Sequence, residues 1–557
     1  MKKLLPFILL SAFILSSCSA DKGMVFSEFL KNETEKTDNS FHTTITNEET
    51  GEEFFELRKQ EIPIKSIVEK EYSDKLSSLS EFDYNSLTED EKLSYDILKR
   101  EYTLKKSGAE YLLYNDILDT ENGVHLSLVS SFCNFEIKDI NDIEKYLSLY
   151  KDVKNYTDSV IAYEKRRSEA GILRHENDAE LIVSDCLSIA ENPERIMSAF
   201  DKKLKTAGIT EDERKAFVSE HNKITKEVFV PAYKKLAREI KKLPTRSNGG
   251  LSSLPNGKEY YSHKLSSLYG KEISTDEIIK QLDNDLYYYE GIFLSTASSF
   301  PEVFYEDNFG IKIPYNSVEE ILPEYTKKAE NKFPDLDKFV PEAEYTSILK
   351  LPVMTDEKNP MKVKISTVYP INETMDYLSQ DFLPGGAYRD FIYESYVSDD
   401  IRKSFRNESF ADGWDMYAKY EMNKLIFGNN PSQTLMNSNS VFWVMIIARV
   451  DIGVNYEGWD ETEVDNFFKE HNLSVSLAEY YYYLAVQKPF YCMKEYRAVS
   501  EITSVKEELK SEYGRNFDEK LFNKTVLTNG YLPLDIMNKR IKSEYKNSLS
   551  ENVAEEE

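Results

Sequence analysis

The sequence predicts a mainly helical protein with one small β element, and three observations carry that expectation. Apolar residues recur at three- and four-residue steps through most of 62–245, the spacing of one buried helix face. Helical patterning resumes after a Gly/Pro/Asn/Ser-rich break at 242–258. The best strand candidates are Ile348–Val353 and Met361–Thr367, in the second of which Val363, Ile365 and Thr367 alternate with Lys362, Lys364 and Ser366. At 557 residues the chain exceeds one minimal core and has the length for two lobes. The 41% hydrophobic content excludes wholesale disorder, and 38 Tyr and 30 Phe against 3 Trp predict heavy aromatic packing.

Taken in order, residues 1–17 read as a signal peptide. Lys2-Lys3 is a basic start, and Leu4 to Leu15 is an apolar run too short to span a bilayer comfortably. Leu15-Ser16-Ser17-Cys18 then resembles a bacterial lipobox. The resemblance implies cleavage before Cys18 and acylation of that residue, by palmitate or a similar chain; two acyl chains anchor stably where one is marginal. An ordinary secretory signal with an incidental Cys is the alternative. No other window reaches about 18 apolar residues, so the expected mature protein is a soluble body tethered to the extracytoplasmic face of a bacterial membrane.

Residues 18–60 form a lipid-anchored spacer and N-terminal arm, with a short helix at Phe26, Phe29 and Leu30 and a polar stretch from Lys31 to Glu53. Residues 61–245 form an N-terminal helical lobe. Asn141-Asp142-Ile143-Glu144 fits an N-cap with a capping-box Glu, and Ile143, Tyr146, Leu147, Tyr150, Val153 and Tyr156 make an amphipathic stripe. Leu181 to Phe200 and Glu211 to Lys241 read the same way. Pro244, Asn248-Gly249-Gly250 and Pro255-Asn256-Gly257 mark the lobe junction, and 246–557 forms the C-terminal lobe. Its helices run through Thr275–Phe300, capped by Thr275-Asp276-Glu277, and Val318–Lys332. A turn at Asp356-Glu357-Lys358-Asn359-Pro360 joins the two strand candidates.

The formal charge of −28 repels phosphate backbones and anionic lipid heads, so no nucleic acid is expected as a partner. Cys133, Cys186 and Cys492 are odd in number and widely spaced, which argues for small buried apolar groups rather than disulfides. The six His (His42, His125, His175, His221, His263 and His471) include no His-x-x-x-His pair, and each reads as a surface or satisfied core residue. No Gly-x-Ser-x-Gly elbow and no Gly-rich phosphate loop occur.

The stretch Tyr377–Tyr420 holds the most specific motifs. It contains Gln380-Asp381-Phe382-Leu383-Pro384-Gly385-Gly386-Ala387 and then Asp412-Gly413-Trp414-Asp415-Met416-Tyr417-Ala418. This resembles the two-part zinc site of a bacterial family catalogued as domain of unknown function 885, a zincin-like group. The family reads His-Glu-x-x-Pro-Gly-His-His and then Glu-Gly-Trp-Ala-Leu-Tyr. The Pro-Gly, Gly-Trp and Tyr-Ala letters match, and so does the separation. Gln380, Gly386 and Ala387 stand at the His positions, Asp381 at the general-base Glu, and Asp412 at the third-ligand Glu. A catalytic zinc needs about three protein ligands and an open position for water, and one Asp does not supply them.

The C-terminal region repeats the pattern. Leu254-Pro255-Asn256-Gly257-Lys258-Glu259-Tyr260-Tyr261 resembles a Pro-x-Gly-x-x-Tyr-Tyr motif. Asp451-Ile452-Gly453-Val454-Asn455 with Gly458-Trp459 resembles Asp-x-Gly-x-His…Gly-Trp, and Asn455 stands at the His. Glu495 falls at a family Tyr. Phe522 to Leu534 resembles Phe-His-x-x-x-Leu-x-x-Gly-x-x-Pro-Leu, and Asn523 stands at the His. The resemblance implies two helical lobes around a deep cleft, with the small β element at the cleft, and a metallopeptidase scaffold without metal or other cofactor: a pseudoenzyme. Three functions follow as expectations. The first is a non-catalytic lipoprotein whose cleft takes a peptide or another small ligand, with strand addition at the β element as one mode. The second is a residual hydrolase using Asp381 and Asp412, or a hard-cation site on the same pair. The third is a purely structural envelope lipoprotein.

Overall fold

The computed structural model describes residues 25–34, 41–46, 53–270, 273–304, 312–356, 358–428 and 430–556. The signal and Cys18 lie outside the described residues. Helix accounts for 72% of the chain and strand for 6%, the mainly α class that the periodicity predicts. Two compact units emerge, one of residues 1–38 with 63–112 and one of residues 39–62 with 113–557.

In the first unit, helices Phe26–Thr34, Lys65–Ser80 and Glu89–Ser107 bury one aromatic seam. Phe26 meets Phe82 edge-on at 5.0 Å, and Glu33 accepts from Lys75 at 2.9 Å and from the Tyr102 hydroxyl at 2.7 Å. Thr88 and Glu91 close a capping box at the start of Glu89–Ser107.

The second unit holds the long helix Ile140–Glu169. Its cap is Asp139, which accepts from the Asn141 and Asp142 amides, while Asp142 accepts from the Lys138 amide. The cap therefore lies two residues before the predicted Asn141, where Asp139 has the extended backbone a cap needs. The stripe Ile143 to Tyr156 is buried as predicted, and His221 stacks between Tyr150 and Phe200 at 4.5 and 4.3 Å. Burial pushes that imidazole down to about 4. His175 caps Glu176–Glu191 through its ring nitrogen, and His471 pairs with Glu290 at 2.6 Å. Cys186 and Cys492 are buried, and Cys133 is half-buried.

The predicted 181–200 helix is two helices, Glu176–Glu191 and Glu194–Leu204, parted by Asn192-Pro193. The 211–241 stretch stays helical through Pro231 by way of a π turn, Thr225–Phe229, just before it. At Thr275–Ser299 the cap position is Ser274 without a side-chain bond; Thr275 instead pairs its hydroxyl with Ser262.

Two two-stranded sheets, His42–Thr46 with Glu53–Leu57 and Arg174–His175 with Thr245–Arg246, fall outside the predicted strands. The largest β element is a three-stranded sheet in which Asn359–Ser366 is central. Val353–Asp356 pairs with it antiparallel, and Glu342–Thr346 pairs with it parallel. Ile348–Val353 is loop up to its last residue, so the first strand candidate is misplaced. The parallel strand, Glu-Ala-Glu-Tyr-Thr, is mostly exposed, and its short alternation of Ala343 and Tyr345 with polar neighbours lacks the β-branched apolar residues that would mark it.

Candidate functional site

The segment that resembles the first half of a zinc motif is shaped by its backbone. Helix Ile371–Tyr377 opens into a π turn, Leu378–Phe382, and the chain turns through Leu383-Pro384-Gly385 into helix Gly386–Tyr396. A Cβ on Gly385 would lie 1.8 Å from the Gln380 carbonyl oxygen, so only glycine permits that turn. Trp414 is fully buried and donates its indole N–H to the Pro384 carbonyl at 3.0 Å. A Cβ on Gly413 would lie 2.2 Å from the Ala498 Cβ, so this glycine sets the close approach of helices Glu408–Phe427 and Met493–Tyr513. The Pro-Gly and Gly-Trp letters thus have packing reasons that require no metal.

The same elements gather four acids. Asp415 accepts from Arg389, whose guanidinium also donates to the Ala411 carbonyl at 3.0 Å and the Tyr531 hydroxyl at 2.8 Å. Burial pushes the Asp415 carboxyl up to about 7 against the pull of Arg389, and the charges of Asp381 and Asp412 add to the rise. Asp381 is open to solvent on one side, yet the protein around it raises its carboxyl, with Arg389 and Lys419 opposing. Burial raises Asp412 too, against Lys494 and Arg389. Glu495 is pushed up to about 7 by burial and by Asp412. Asp415 thus feels the charge of both Asp381 and Asp412. A Cβ on Gly386 would lie 3.6 Å from Asp415 Oδ2, so Gly386 also borders the site. Gln380 and Ala387 are half-buried beside it in sequence. Arg389 and Glu495 were not singled out as site residues. The signal of Glu495 was position: it stands three residues into the partner helix.

Asn455 and Asn523 are engaged in other networks. Asn455 donates to the Asp451 carboxylate at 2.8 Å and the Ala485 carbonyl at 2.9 Å, and accepts from the Leu251 amide at 2.8 Å. Asp451 also accepts from the Tyr261 hydroxyl at 2.6 Å and from the Phe490 amide. Asn523 accepts from the Tyr417 hydroxyl at 2.9 Å and donates to the Lys332 carbonyl at 2.8 Å. Lys506 joins Tyr417 to Glu421 at 3.2 Å and to Glu519 at 2.5 Å. Among the described residues, no three His, Cys, Asp or Glu side chains are placed to hold a metal ion together. No helix among the described residues is long and apolar enough to cross a membrane.

A family model described as a bacterial protein of unknown function, DUF885, matches residues 68–359 and 392–541. The unmatched stretch between them carries Gln380 to Ala387. Two solved structures are similar. One, from Colwellia psychrerythraea, is described as a lipoprotein; it is 14% identical, spans 88% of this chain and 92% of its own, and superposes with a TM-score of 0.68. The other, from Shewanella oneidensis, is described as a lipoprotein of unknown function; it is 15% identical, spans 86% of this chain and 93% of its own, with a TM-score of 0.64. At such identities the likeness establishes a shared fold. No curated protein matches the sequence.

Proposed function

The chain belongs to the DUF885 family of bacterial proteins of unknown function, and from that membership we propose a non-catalytic, lipid-anchored extracytoplasmic protein on a zincin-like scaffold. The observation that carries this reading is the fate of the positions at which the resemblance expects ligands. Gly386 and Ala387 offer no ligating atom. Asn455 and Asn523 spend their amides on backbone carbonyls and neighbouring side chains. This donor set does not fit zinc, which takes imidazole, thiolate or carboxylate in a closed polyhedron. The Arg389–Asp415 pair places a fixed positive charge among the acids, which further disfavours a dication there.

Two features support the membrane tether: the lipobox-like Leu15-Ser16-Ser17-Cys18 and the description of both structural neighbours as lipoproteins. On this reading the region around Asp381 and Asp412 serves binding rather than hydrolysis.

Metal content and cleavage of a casein or peptide library, with and without chelator, test the first half of this proposal. The expected result is substoichiometric zinc and no chelator-sensitive cleavage; about one zinc per chain with chelator-sensitive turnover would overturn it. For the tether, metabolic labelling with tritiated palmitate should mark the wild-type chain and not Cys18→Ser, which should leave the membrane fraction.

A further inference from the structure

A cavity of about 340 Å³ opens among helices Thr275–Ser299, Pro431–Ile452 and Glu461–Glu470 and shares no lining residue with Gln380–Ala387 or Asp412–Ala418. One wall is a continuous stack. The Arg449 guanidinium lies 4.4 Å over the Trp459 ring, Trp459 lies 5.4 Å from Phe467, and Phe467 lies 4.5 Å from the His471 ring. A Cβ on Gly453 would lie 2.2 Å from the Trp459 indole, so the Gly and the Trp of the 451–459 motif fit together to seat that wall. Helix Thr275–Ser299 adds Asp283 and, one turn on, Tyr287, whose side chain is 64% exposed at the rim.

Two buried side chains in the wall keep a spare nitrogen. Arg449 is 8% exposed; its Nε donates to Asp283 at 3.0 Å and its Nη1 to Glu457 at 2.5 Å, and Nη2 has no partner among the described residues. His471 is 10% exposed; its Nδ1 lies 2.6 Å from Glu290, and Nε2 has no partner among the described residues. Asn466 and Glu470 complete the rim, both exposed and both without a hydrogen bond or ion pair among the described residues.

The charges select the ligand class. Arg449 is neutralised by Asp283 and Glu457, so no free cation waits for a phosphate or a carboxylate, and the surrounding acids repel one. No three of the side chains converge as metal ligands do. What remains is a set of fixed N–H donors, an amide and a carboxylate beside aromatic surface. Hydroxyl groups both donate and accept, so a neutral polyhydroxylated ligand satisfies such a mixed set, while its C–H face packs on a ring. The volume is at the small end of the range for ligand sites.

We propose that this cavity binds a neutral saccharide, with Arg449 Nη2, His471 Nε2 and Asn466 holding its hydroxyls and Tyr287 stacking on a sugar ring at the rim. The site adds a ligand to the non-catalytic reading and uses none of the residues on which that reading rests.

Titration calorimetry of the full-length protein tests it, in a polyoxyethylene detergent that carries no sugar head group. The probes are maltose, cellobiose, the disaccharide of N-acetylglucosamine, sodium phosphate, and an acetylated and amidated Ala-Lys-Ala. At least one disaccharide is expected to bind, with saturation transfer from the protein to its ring protons, and which one binds identifies the class of sugar. Phosphate and the lysine peptide should give no heat. Tyr287→Ala should weaken sugar binding about tenfold and Asn466→Ala about threefold. Both residues are exposed, so both variants should fold, and circular dichroism melts check it. Three outcomes would each overturn the proposal: no disaccharide bound, undiminished affinity in the variant that carries both substitutions, or phosphate or the lysine peptide bound as tightly as the sugars. Zinc content and cleavage are separate measurements, so failure here leaves the non-catalytic reading standing, and a zinc-loaded protein would defeat that reading whatever the sugars do.

Discussion

The two ends of one helix pair treat buried charge in opposite ways. Glu408–Phe427 and Met493–Tyr513 run in the same direction, since Glu408 meets Lys494, Gly413 meets Ala498 and Glu421 meets Lys506 in succession. Toward their C-terminal halves every charge is answered. Lys506 lies between Glu421 and Glu519, Lys332 reaches both acids, and Tyr417 and Asn523 complete the network. Toward their N-terminal halves Lys494 pairs with Glu408, Arg497 with Glu501 and Asp415 with Arg389, while the half-buried Asp412 and Glu495 side chains have no hydrogen-bond or ion-pair partner among the described residues. The paired end has the character of a structural core, and the unpaired end leaves two carboxyls without partners. A protein can hold both on one scaffold because pairing decides whether a buried charge helps or harms.

Breaking the paired end should have the largest effect. Burial opposes ionisation of Glu421, but Lys506, Lys424 and Lys332 together hold it well below the usual carboxylate range. Lys506→Met removes the most buried of those cations and leaves Glu421 only the more exposed Lys424 and Lys332, and Glu519 only Lys332. The expected loss is about 3–5 kcal/mol, read by urea denaturation at pH 7. A loss below about 1 kcal/mol would place this network with surface ion pairs and erase the contrast.

The next prediction concerns the contact that joins the two ends. Gly413→Ala puts a methyl group where the Ala498 Cβ already lies. The helices must part beside Asp412 and Asp415, at an expected cost of about 1–3 kcal/mol. Because the cost is steric, it should be the same at pH 5 and pH 8 in parallel denaturation curves. A pH-dependent loss would mean that the substitution acts through the acids.

The sequence made the helices legible, because stripes such as Ile143 to Tyr156 repeat at helical spacing. It also made the Gly-Trp and Pro-Gly letters conspicuous, and the structure supplies their reasons in Ala498 and the Gln380 carbonyl. Glu342–Thr346 was hidden because a mostly exposed edge strand needs no β-branched apolar residues, and Ala343 and Tyr345 alone are a weak signal. The division of the Asn residues was equally hidden. Asn455 and Asn523 stand at equivalent kinds of motif position, yet each is fixed by partners 106 or more residues away, Tyr417 for Asn523 and Leu251 for Asn455. Nothing in local spacing records such pairing. Glu495 was visible only as a departure from a motif; its meaning came from the helix that sets it beside Asp412.

The smallest effect is also the one with the most distinctive sign. Glu495 and Asp415 are pushed up to about 7, first by burial. In the unfolded chain such carboxyls titrate near about 4. An acid whose folded value is raised stabilises the fold fully below its unfolded value, and that contribution is lost as pH rises through the folded value. The acid cluster should therefore cost the protein stability between about pH 4 and pH 7. Glu421, whose folded value is lowered, behaves the other way: its contribution is complete above about pH 4 and fades below it. Glu495→Gln keeps the shape of the side chain and removes the charge. At pH 8 it should raise stability by about 1–2 kcal/mol, the full shift being discounted for solvent reaching the site. At pH 4.5 it should change little, since the wild-type carboxyl is then protonated in the fold. Thermal melts across that range should show the wild-type slope flattened in the variant. A variant that is less stable at pH 8 would mean that Glu495 has a partner in the folded protein, and the distinction between the two ends of the helix pair would fail at its unpaired end.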